Sequence, residues 1–370
     1  MTDSTQTTAV IEENQTLWHT DRRPAGCSRC HRVFLAQESF IDKSCPLCRS
    51  GKLEPQPARM RPAEPEQMLP FRVNLNQLNK IFQDFVSGVW IKPEDFRADL
   101  LLKRTVPIFW PMWQVDSDII GHWQMEAGFD YQVESAKESY VSGQWQSKKE
   151  IETRTRWEPR LGHLETHVAN VIVPALEEHR NRQAMTGPYP HERAIAFDPN
   201  SLGNALLEVP DLPPEDAWPM AKPQVDQTAG EICARAAGAQ HHRNFAIEAA
   251  YENLNWTEFF LPMFTTFYTD DDGQPQILVV NGETGRIAGP RLASRKKGLQ
   301  IAGILAGIAG LVFLLTLFGL LLTIVFPPAG IIAALLGVLG VILGIAAIIP
   351  AVWPGQWNRK QDGLRIASRR

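Results

Sequence analysis

Long apolar runs are absent from the first 298 residues of this 370-residue chain, and so are the sequence patterns of common enzyme classes. Residues 1–20 are polar, so no secretory signal peptide is expected. No G-x-x-x-x-G-K-[ST] phosphate loop is present, and Gly51-Lys52 has no such context, which argues against a nucleotide-driven motor. G-x-S-x-G, H-E-x-x-H and a strand-linked G-x-G-x-x-G are also missing, so no enzymatic activity is predicted.

The chain also has little excess charge of either sign and few cysteines. A net charge of −4 gives no reason to expect a large basic surface for nucleic acid. Four of the five cysteines form two tight pairs, and in a cytoplasmic domain such pairs hold metal more often than they form disulfides. The lone Cys233 lies in an alanine-rich segment, where a small core residue is expected. The 11 tryptophans, by contrast, predict a substantial buried core.

The two cysteine pairs predict a zinc ribbon. Cys27 and Cys30 are followed, after fourteen residues, by Cys45 and Cys48. Each pair forms a tight turn that directs two sulfurs at one centre, and four thiolates complete a closed tetrahedron around Zn²⁺. A closed site leaves no position for a substrate, so the zinc is predicted to be structural. A redox or zinc sensor and a different metal are the alternatives. Metal ligation would supply most of the folding energy of so small a module.

Two apolar runs near the C-terminus, 299–326 and 331–353, are each long enough to cross a lipid bilayer. The sequence between them, Phe-Pro-Pro-Ala-Gly, stops a helix, so the two runs are expected to form an antiparallel transmembrane hairpin. A buried helix pair in a soluble protein is the alternative, and the absence of a polar face on either run argues against it.

The glycines within this hairpin predict how its two helices pack, and the basic residues around it predict its orientation in the membrane. Gly303 and Gly307, and likewise Gly340 and Gly344, have the four-residue spacing that lets two helices approach closely in lipid. Basic residues flank both runs and are missing from the loop between them. The positive-inside rule therefore predicts a multi-pass protein of the cell inner membrane with both termini in the cytoplasm. The flanking basic residues are Arg291, Arg295, Lys296, Lys297, Arg359, Lys360, Arg365, Arg369 and Arg370.

Composition divides the chain into segments of different character. Five prolines within sixteen residues predict a stiff linker that holds the ribbon away from the main domain. The predicted segments are a polar tail 1–20, a zinc ribbon 21–54, the proline-rich linker 55–70, a cytoplasmic α+β domain 71–290, the transmembrane hairpin 298–353 and a basic cytoplasmic tail 354–370.

The main domain combines helical and strand periodicity, which predicts an α+β fold with an antiparallel sheet and flanking helices. A helix with apolar residues three and four apart is expected at 75–86, capped by Asn74, and a second helix is expected from Pro93. Alternating residues, some with one charged face, predict exposed antiparallel strands. The predicted strands are 123–133, 151–157, 256–268 and 276–280, and a helix is expected near 227–237 between loops.

Several stretches carry a resemblance to a known family. A four-cysteine ribbon is followed by LPFRV, by VWIKPEDF and VPIFWPMW, and later by ILVVNGETGRIAGP before the apolar runs. In this order they resemble the bacterial membrane proteins with a transcription-factor-IIB-type zinc ribbon, sometimes given a primosomal-helicase-like label. The resemblance covers roughly residues 25–325. It implies the architecture above and, loosely, a role at the cell envelope, and it implies no reaction.

Three functions fit this sequence. A membrane-anchored adaptor or scaffold that recruits protein partners to the bilayer is favoured, because no catalytic set is visible. A membrane-tethered nucleic-acid binder would use the basic residues around the ribbon, and an enzyme would need a site that the sequence hides. No small-molecule substrate is identified. His163 and His167 are expected to lie on one side of a strand as satisfied polar residues rather than as metal ligands.

Overall fold

The computed structural model of the chain describes residues 21–57, 64–141 and 144–367. The predicted tail 1–20 lies outside the described residues, as do 58–63 of the linker and 368–370.

Within the described part the chain is a mixed α+β protein with a large sheet and six α-helices. The strands are β1 Arg22–Cys27, β2 Val33–Gln37, β3 Leu53–Pro55, β4 Gln67–Met68, β5 Val106–Val141, β6 Gln144–Pro174, β7 Ile195–Ala196, β8 Leu206–Glu208, β9 His241–Thr269, β10 Pro275–Asn281 and β11 Ile287–Ala288. The helices are α1 Leu75–Ser87, α2 Ala98–Lys103, α3 His179–Thr186, α4 Pro214–Ala236, α5 Arg295–Leu322 and α6 Ala329–Ala367.

The N-terminal strands belong to the main sheet, whose order is β11-β10-β9-β5-β8-β2-β1-β3. Strand β2 pairs with β8, with Leu35 opposite Leu207, and β8 pairs with β5. Phe34 shares one buried cluster with Trp110 and Phe259 of the main domain. The prediction that the proline-rich segment holds the N-terminal module away from the main domain is therefore wrong. Apolar burial and strand pairing join the two parts.

Three strands are much longer than the sequence predicts. Strand β5 has 36 residues, β6 has 31 and β9 has 29. At the usual rise of about 3.3 Å per residue, β5 is about 120 Å long. Strand β9 begins at His241, opposite Gly128, and beyond that point only β5 and β6 continue as a pair. We call this two-stranded projection, residues 129–141 and 144–156, the arm.

Helix α4 covers one face of the section in which β6, β5 and β9 lie side by side. Its buried residues recur every four positions as Ala217, Ala221, Val225, Ala229 and Cys233, so small side chains line the contact. The helix is longer than the predicted 227–237 and begins at Pro214, where proline suits a first turn.

Among the described residues, no helix covers the opposite face of this three-stranded section. We call nine of its residues, three on each strand, the open face. They are Ile120, His122 and Gln124 of β5, Leu161, His163 and Glu165 of β6, and Ala246, Glu248 and Ala250 of β9.

Helices α1 and α2 pack against β9 and β10. The prediction of α1 is confirmed, and Asn74 and Gln77 form a capping box at its start. The helix predicted from Pro93 begins instead at Ala98. Asp95 is not a first-turn acid, because its carboxylate binds the Arg104 guanidinium at 2.6 Å and accepts a hydrogen bond from the backbone of Thr269 at 2.7 Å.

Helices α5 and α6 are long and apolar enough to cross a membrane. Only 11% and 17% of their most apolar windows are buried, whereas the core helices of a soluble protein would be covered. The glycine prediction is only partly right. Gly340 lies 3.5 Å, measured from an added Cβ, from Val312, but Gly303, Gly307 and Gly344 have no such neighbour within 4 Å. The closest approach is at Gly298, where an added Cβ would lie 2.4 Å from the Pro350 carbonyl oxygen.

Helix α6 continues beyond its apolar part into the folded domain. Trp353 and Trp357 stack on each other and pack against the cluster formed by α1, α2, β9 and β10. Asn358 is buried, donates a 2.9 Å hydrogen bond to the Ala293 carbonyl and accepts one of 2.7 Å from the Ala293 amide. We call these contacts of residues 353–361 the α6 clamp. The expected basic tail is therefore helical as far as Ala367.

Candidate metal centre and surrounding surfaces

The two cysteine pairs adopt the same local structure. His31 donates its backbone N–H to the Cys27 carbonyl at 3.1 Å, and Arg49 donates to the Cys45 carbonyl at 3.0 Å. His31 and Arg49 each follow the second cysteine of a pair, and both have a positive φ, near 60°. The turns therefore reverse the chain sharply and present both cysteines of each pair to one point.

The four sulfurs form a compact group. Cys27 Sγ lies 3.5 Å from Cys48 Sγ, Cys30 Sγ lies 3.8 Å from Cys45 Sγ, and all four lie within 4.8 Å of one another. A tetrahedron with metal–sulfur bonds of about 2.3 Å has edges of about 3.8 Å, so these spacings fit a bound ion. The predicted ligands are thus brought together, and they can hold a metal ion. Among the described residues this is the group that can do so.

Burial and hydrogen bonds shift the pKa values of Cys27, Cys30 and Cys45 in different directions. The hydrogen bond between the Cys30 and Cys45 sulfurs lowers the pKa of Cys30 to about 5 and raises that of Cys45. Desolvation raises the pKa of Cys27. Gly51 completes the enclosure, because an added Cβ there would lie 2.6 Å from the Cys27 sulfur.

A cavity of about 410 Å³ opens beside the cysteines, between α3 and β10. Cys30 and Cys48 line it with Arg29, Arg32 and Arg182. Two of these arginines are neutralised internally, since Arg32 pairs with Glu178, and Arg182 pairs with the buried Glu208, its Nη2 lying 3.0 Å from Oε1. The cavity therefore presents little unpaired positive charge.

The basic residues around the cysteine pairs are mostly engaged within the chain. Arg22 is buried and donates to the Gly203 carbonyl at 2.9 Å, and Arg23 pairs with Glu38. The Arg49 guanidinium stacks over the Phe267 ring at 3.9 Å. These contacts hold the Arg22 and Arg49 guanidinium groups against the chain itself, and Glu38 balances the charge of Arg23.

His163 and His167 do not form a shared site. His163 and His167 lie on the same side of β6, as predicted. The His163 ring faces that of His122 at 5.1 Å, whereas His167 Nδ1 lies 2.7 Å from Asp118 Oδ1. Cys233 is buried against the sheet in α4, as expected for a core residue, and burial raises its pKa.

Glu258 is a buried acid that the sequence did not single out. It lies on β9 opposite Trp113, and its residue is 3% exposed. Desolvation raises its pKa from 4.5 to about 8. Glu258 does not line the cavity beside the cysteines, nor the cavity of about 200 Å³ between the Asp270–Asp272 turn and Arg359. A perturbed carboxyl is thus present without an approach for a substrate from either cavity.

Replacing Glu258 with glutamine is expected to alter the pH dependence of stability. The unfolded chain ionises this carboxyl above about pH 4.5, whereas the folded chain keeps it protonated up to about pH 8. Its contribution to the free energy of unfolding is therefore present below pH 4.5 and is lost as pH rises towards 8. Glu258→Gln should unfold close to the unaltered chain at pH 5 and at clearly higher denaturant at pH 8. The exposed Glu248→Gln on the same strand is the control, and an equal difference at both pH values would contradict this assignment.

Comparisons with known proteins identify no relative of the chain. No family model, no curated protein and no solved structure matches it. The function is therefore inferred from the arrangement of the chain's own residues.

Proposed function

We propose that this chain is a membrane-anchored adaptor that binds a protein partner on the cytoplasmic side of the inner membrane. The observation that carries the proposal is the open face, which no described helix covers, on a long sheet that is joined to two apolar helices. A structural Zn²⁺ on Cys27, Cys30, Cys45 and Cys48 would hold the N-terminal ribbon in this sheet. Four thiolates in a closed tetrahedron favour zinc and leave no position for catalysis.

The anchoring half of the proposal rests on α5 and α6. Their apolar side chains are largely exposed, which lipid tolerates and water does not. Basic residues at both outer ends and none in the connecting loop favour a hairpin whose ends face the cytoplasm. The α6 clamp supports a fixed orientation of the domain relative to the bilayer, because a continuous helix enters the domain core.

The recruiting half rests on the open face. Leu161, 83% exposed, lies opposite Gln124, with Ile120 on the same face. Glu165 and Glu248 surround these apolar groups with negative charge. A partner that fits this surface would carry an apolar side chain bordered by basic residues.

The two other candidate functions have less support. The basic residues near the cysteines are engaged by Glu38, Glu178 and main-chain carbonyls, which disfavours phosphate binding. An enzyme would place a perturbed acid or base in a cleft, and Glu258 lines neither cavity described above.

Site-specific photo-crosslinking in native membranes tests the adaptor. A crosslinking amino acid at Gln124 of the full chain should capture a cytosolic protein. Adding Leu161→Glu should reduce that adduct at least about tenfold, because burial of one leucine contributes roughly 1.5–3 kcal/mol. The control is Leu75→Glu at another exposed leucine, which is 71% exposed on α1 and lies away from the open face.

Equal capture in the Leu161→Glu and Leu75→Glu chains would contradict docking on the open face. Turnover of a metabolite by the purified full chain, combined with no captured protein, would replace the adaptor with an enzyme.

A further inference from the structure

Strand β6 leaves one long edge unpaired. Among the described strands it pairs only with β5, over nearly its whole length. No other described strand or helix packs along the arm, and an isolated two-stranded ribbon is at best marginally stable in water. Such an edge is a template for pairing with another chain unless its side chains prevent it. The side chains on this edge therefore determine what can pair with it.

Alternate residues of β6 carry charges in an uneven order. Along one face run Glu150, Glu152, Arg154, Arg156 and Glu158. These side chains form ion pairs with neighbours on the same strand, Arg154 with Glu152 at 3.1 Å and Arg156 with Glu158 at 2.9 Å. All five lie at the surface of the chain.

The neighbouring strand offers these charges no partner. The residues of β5 directly opposite Glu150 to Glu158 are all uncharged, so the charged row has no opposite charge on that side. They are Ser135, Val133, Tyr131, Phe129 and Ala127.

A second copy of the same strand would supply the missing charges. When two β6 strands run antiparallel with Thr153 opposite its own copy, Glu152 faces Arg154 and Glu150 faces Arg156, each pair twice by symmetry. Sliding the register by two residues one way sets Glu152 opposite Glu152, and sliding it the other way sets Arg154 opposite Arg154. Opposite charges across a strand pair stabilise it, and like charges destabilise it.

The other face of β6 fits the same register. Thr153 would face its copy, and Ile151, 63% exposed in the single chain, would face Thr155. Pairs of β-branched residues are favourable across antiparallel strands. Pro159, which lacks a backbone N–H, marks the end of the stretch that can pair.

We propose that two copies of this chain form a symmetric dimer through their β6 edges, antiparallel and centred on Thr153, so that the two arms become one four-stranded ribbon. This contact is self-complementary, as a two-fold dimer requires. It uses the arm and not the open face, so it goes beyond the adaptor proposal and does not depend on it.

Reversing the charges of Glu152 and Arg154 tests the pairing of two β6 strands, with the full chain purified in mild detergent. Glu152→Arg alone and Arg154→Glu alone should each weaken dimerisation at least about tenfold, because each sets like charges opposite each other twice. A mixture of the two single variants should form heterodimers, since every facing pair across the strands is then of opposite sign. Recovery in the mixture cannot come from ion pairs within one strand, which both variants have lost.

Cysteine crosslinking tests the register. Opposed residues of antiparallel strands have Cα atoms about 4.5–5.5 Å apart, within the range of a disulfide. Thr153→Cys should therefore give a covalent dimer on mild oxidation. Thr155→Cys should not, because the two copies of residue 155 would lie roughly 13 Å apart.

Three results would overturn the proposal. They are a monomeric full chain, single charge variants that dimerise as well as the unaltered chain, and a mixture that forms no heterodimer. The metal content of each variant should equal that of the unaltered chain, because the exchanged residues are exposed on the arm. The melting temperatures should also be equal at protein concentrations low enough for the unaltered chain to be monomeric, since dimerisation itself raises the melting temperature. If a charge variant loses its metal or is destabilised as a monomer, the crosslinking of Thr153→Cys and Thr155→Cys replaces it as the test of whether two copies pair through β6.

Discussion

Cys45→Ser is expected to abolish metal binding and to unfold the sheet domain together with the N-terminal strands. Metal ligation in small four-ligand modules contributes on the order of 10 kcal/mol, comparable to the whole stability of a typical domain. Cys27 and Cys45 are buried in the same cluster as Trp110 and Phe259, so the module cannot unfold by itself without exposing the main core. Metal content of the purified chain, which should be about one zinc per chain, and hydrogen exchange across β5 and β9 measure the two effects.

Cys233→Ser provides the matched control for this experiment. Cys233 is equally buried but lies in α4, away from the four-sulfur group. The serine should destabilise the chain by roughly 1–3 kcal/mol, because its hydroxyl is buried, and should leave the metal in place. A Cys45→Ser chain that lacks metal but keeps full protection in β5 and β9 would show that the module and the sheet are independent.

Asn358→Ala is expected to release the α6 clamp. The substitution leaves the amide and the carbonyl of Ala293 without the partners they have in the folded chain, at about 1–3 kcal/mol for each group. Trp357 also donates from its indole to the Arg291 carbonyl, so the clamp should weaken rather than dissociate fully. Hydrogen exchange at residues 291–294 and protease cleavage in this segment should both rise by at least about tenfold.

Gln356→Ala supplies the comparison, because Gln356 is an exposed residue of the same helical turn. It should change neither readout. Unchanged protection at residues 291–294 in Asn358→Ala would mean that the tryptophan contacts alone hold α6 on the domain.

Local patterns in the sequence predict those parts of the fold that depend on near neighbours. The helix α1 follows from its apolar spacing and the cap at Asn74. The four-sulfur group follows from two short cysteine pairs, because each turn is set by a few adjacent residues. The two apolar helices follow from composition alone.

The sequence does not predict the contacts between residues that are far apart along the chain. The pairing of Leu35 with Leu207 and the bonds between Asn358 and Ala293 join segments whose local sequence gives no sign of each other. The length of β5 and β6 is also not predictable from local sequence, since charged and apolar stretches along one continuous strand suggest several shorter strands. The burial of Glu258 has no local signal, because a lone glutamate in a strand usually faces water.

The α6 clamp also constrains the order in which the chain can mature. Residues 353–361 leave the ribosome after α5 and after the apolar part of α6, yet they cover Leu292 and Ala293 in the domain made before them. The domain therefore reaches its final packing only when α5 and α6 have folded back on each other. A nascent chain halted before Trp353 would display an uncovered apolar seam to chaperones and proteases. Correct formation of the hairpin thereby becomes a condition for a protease-resistant domain.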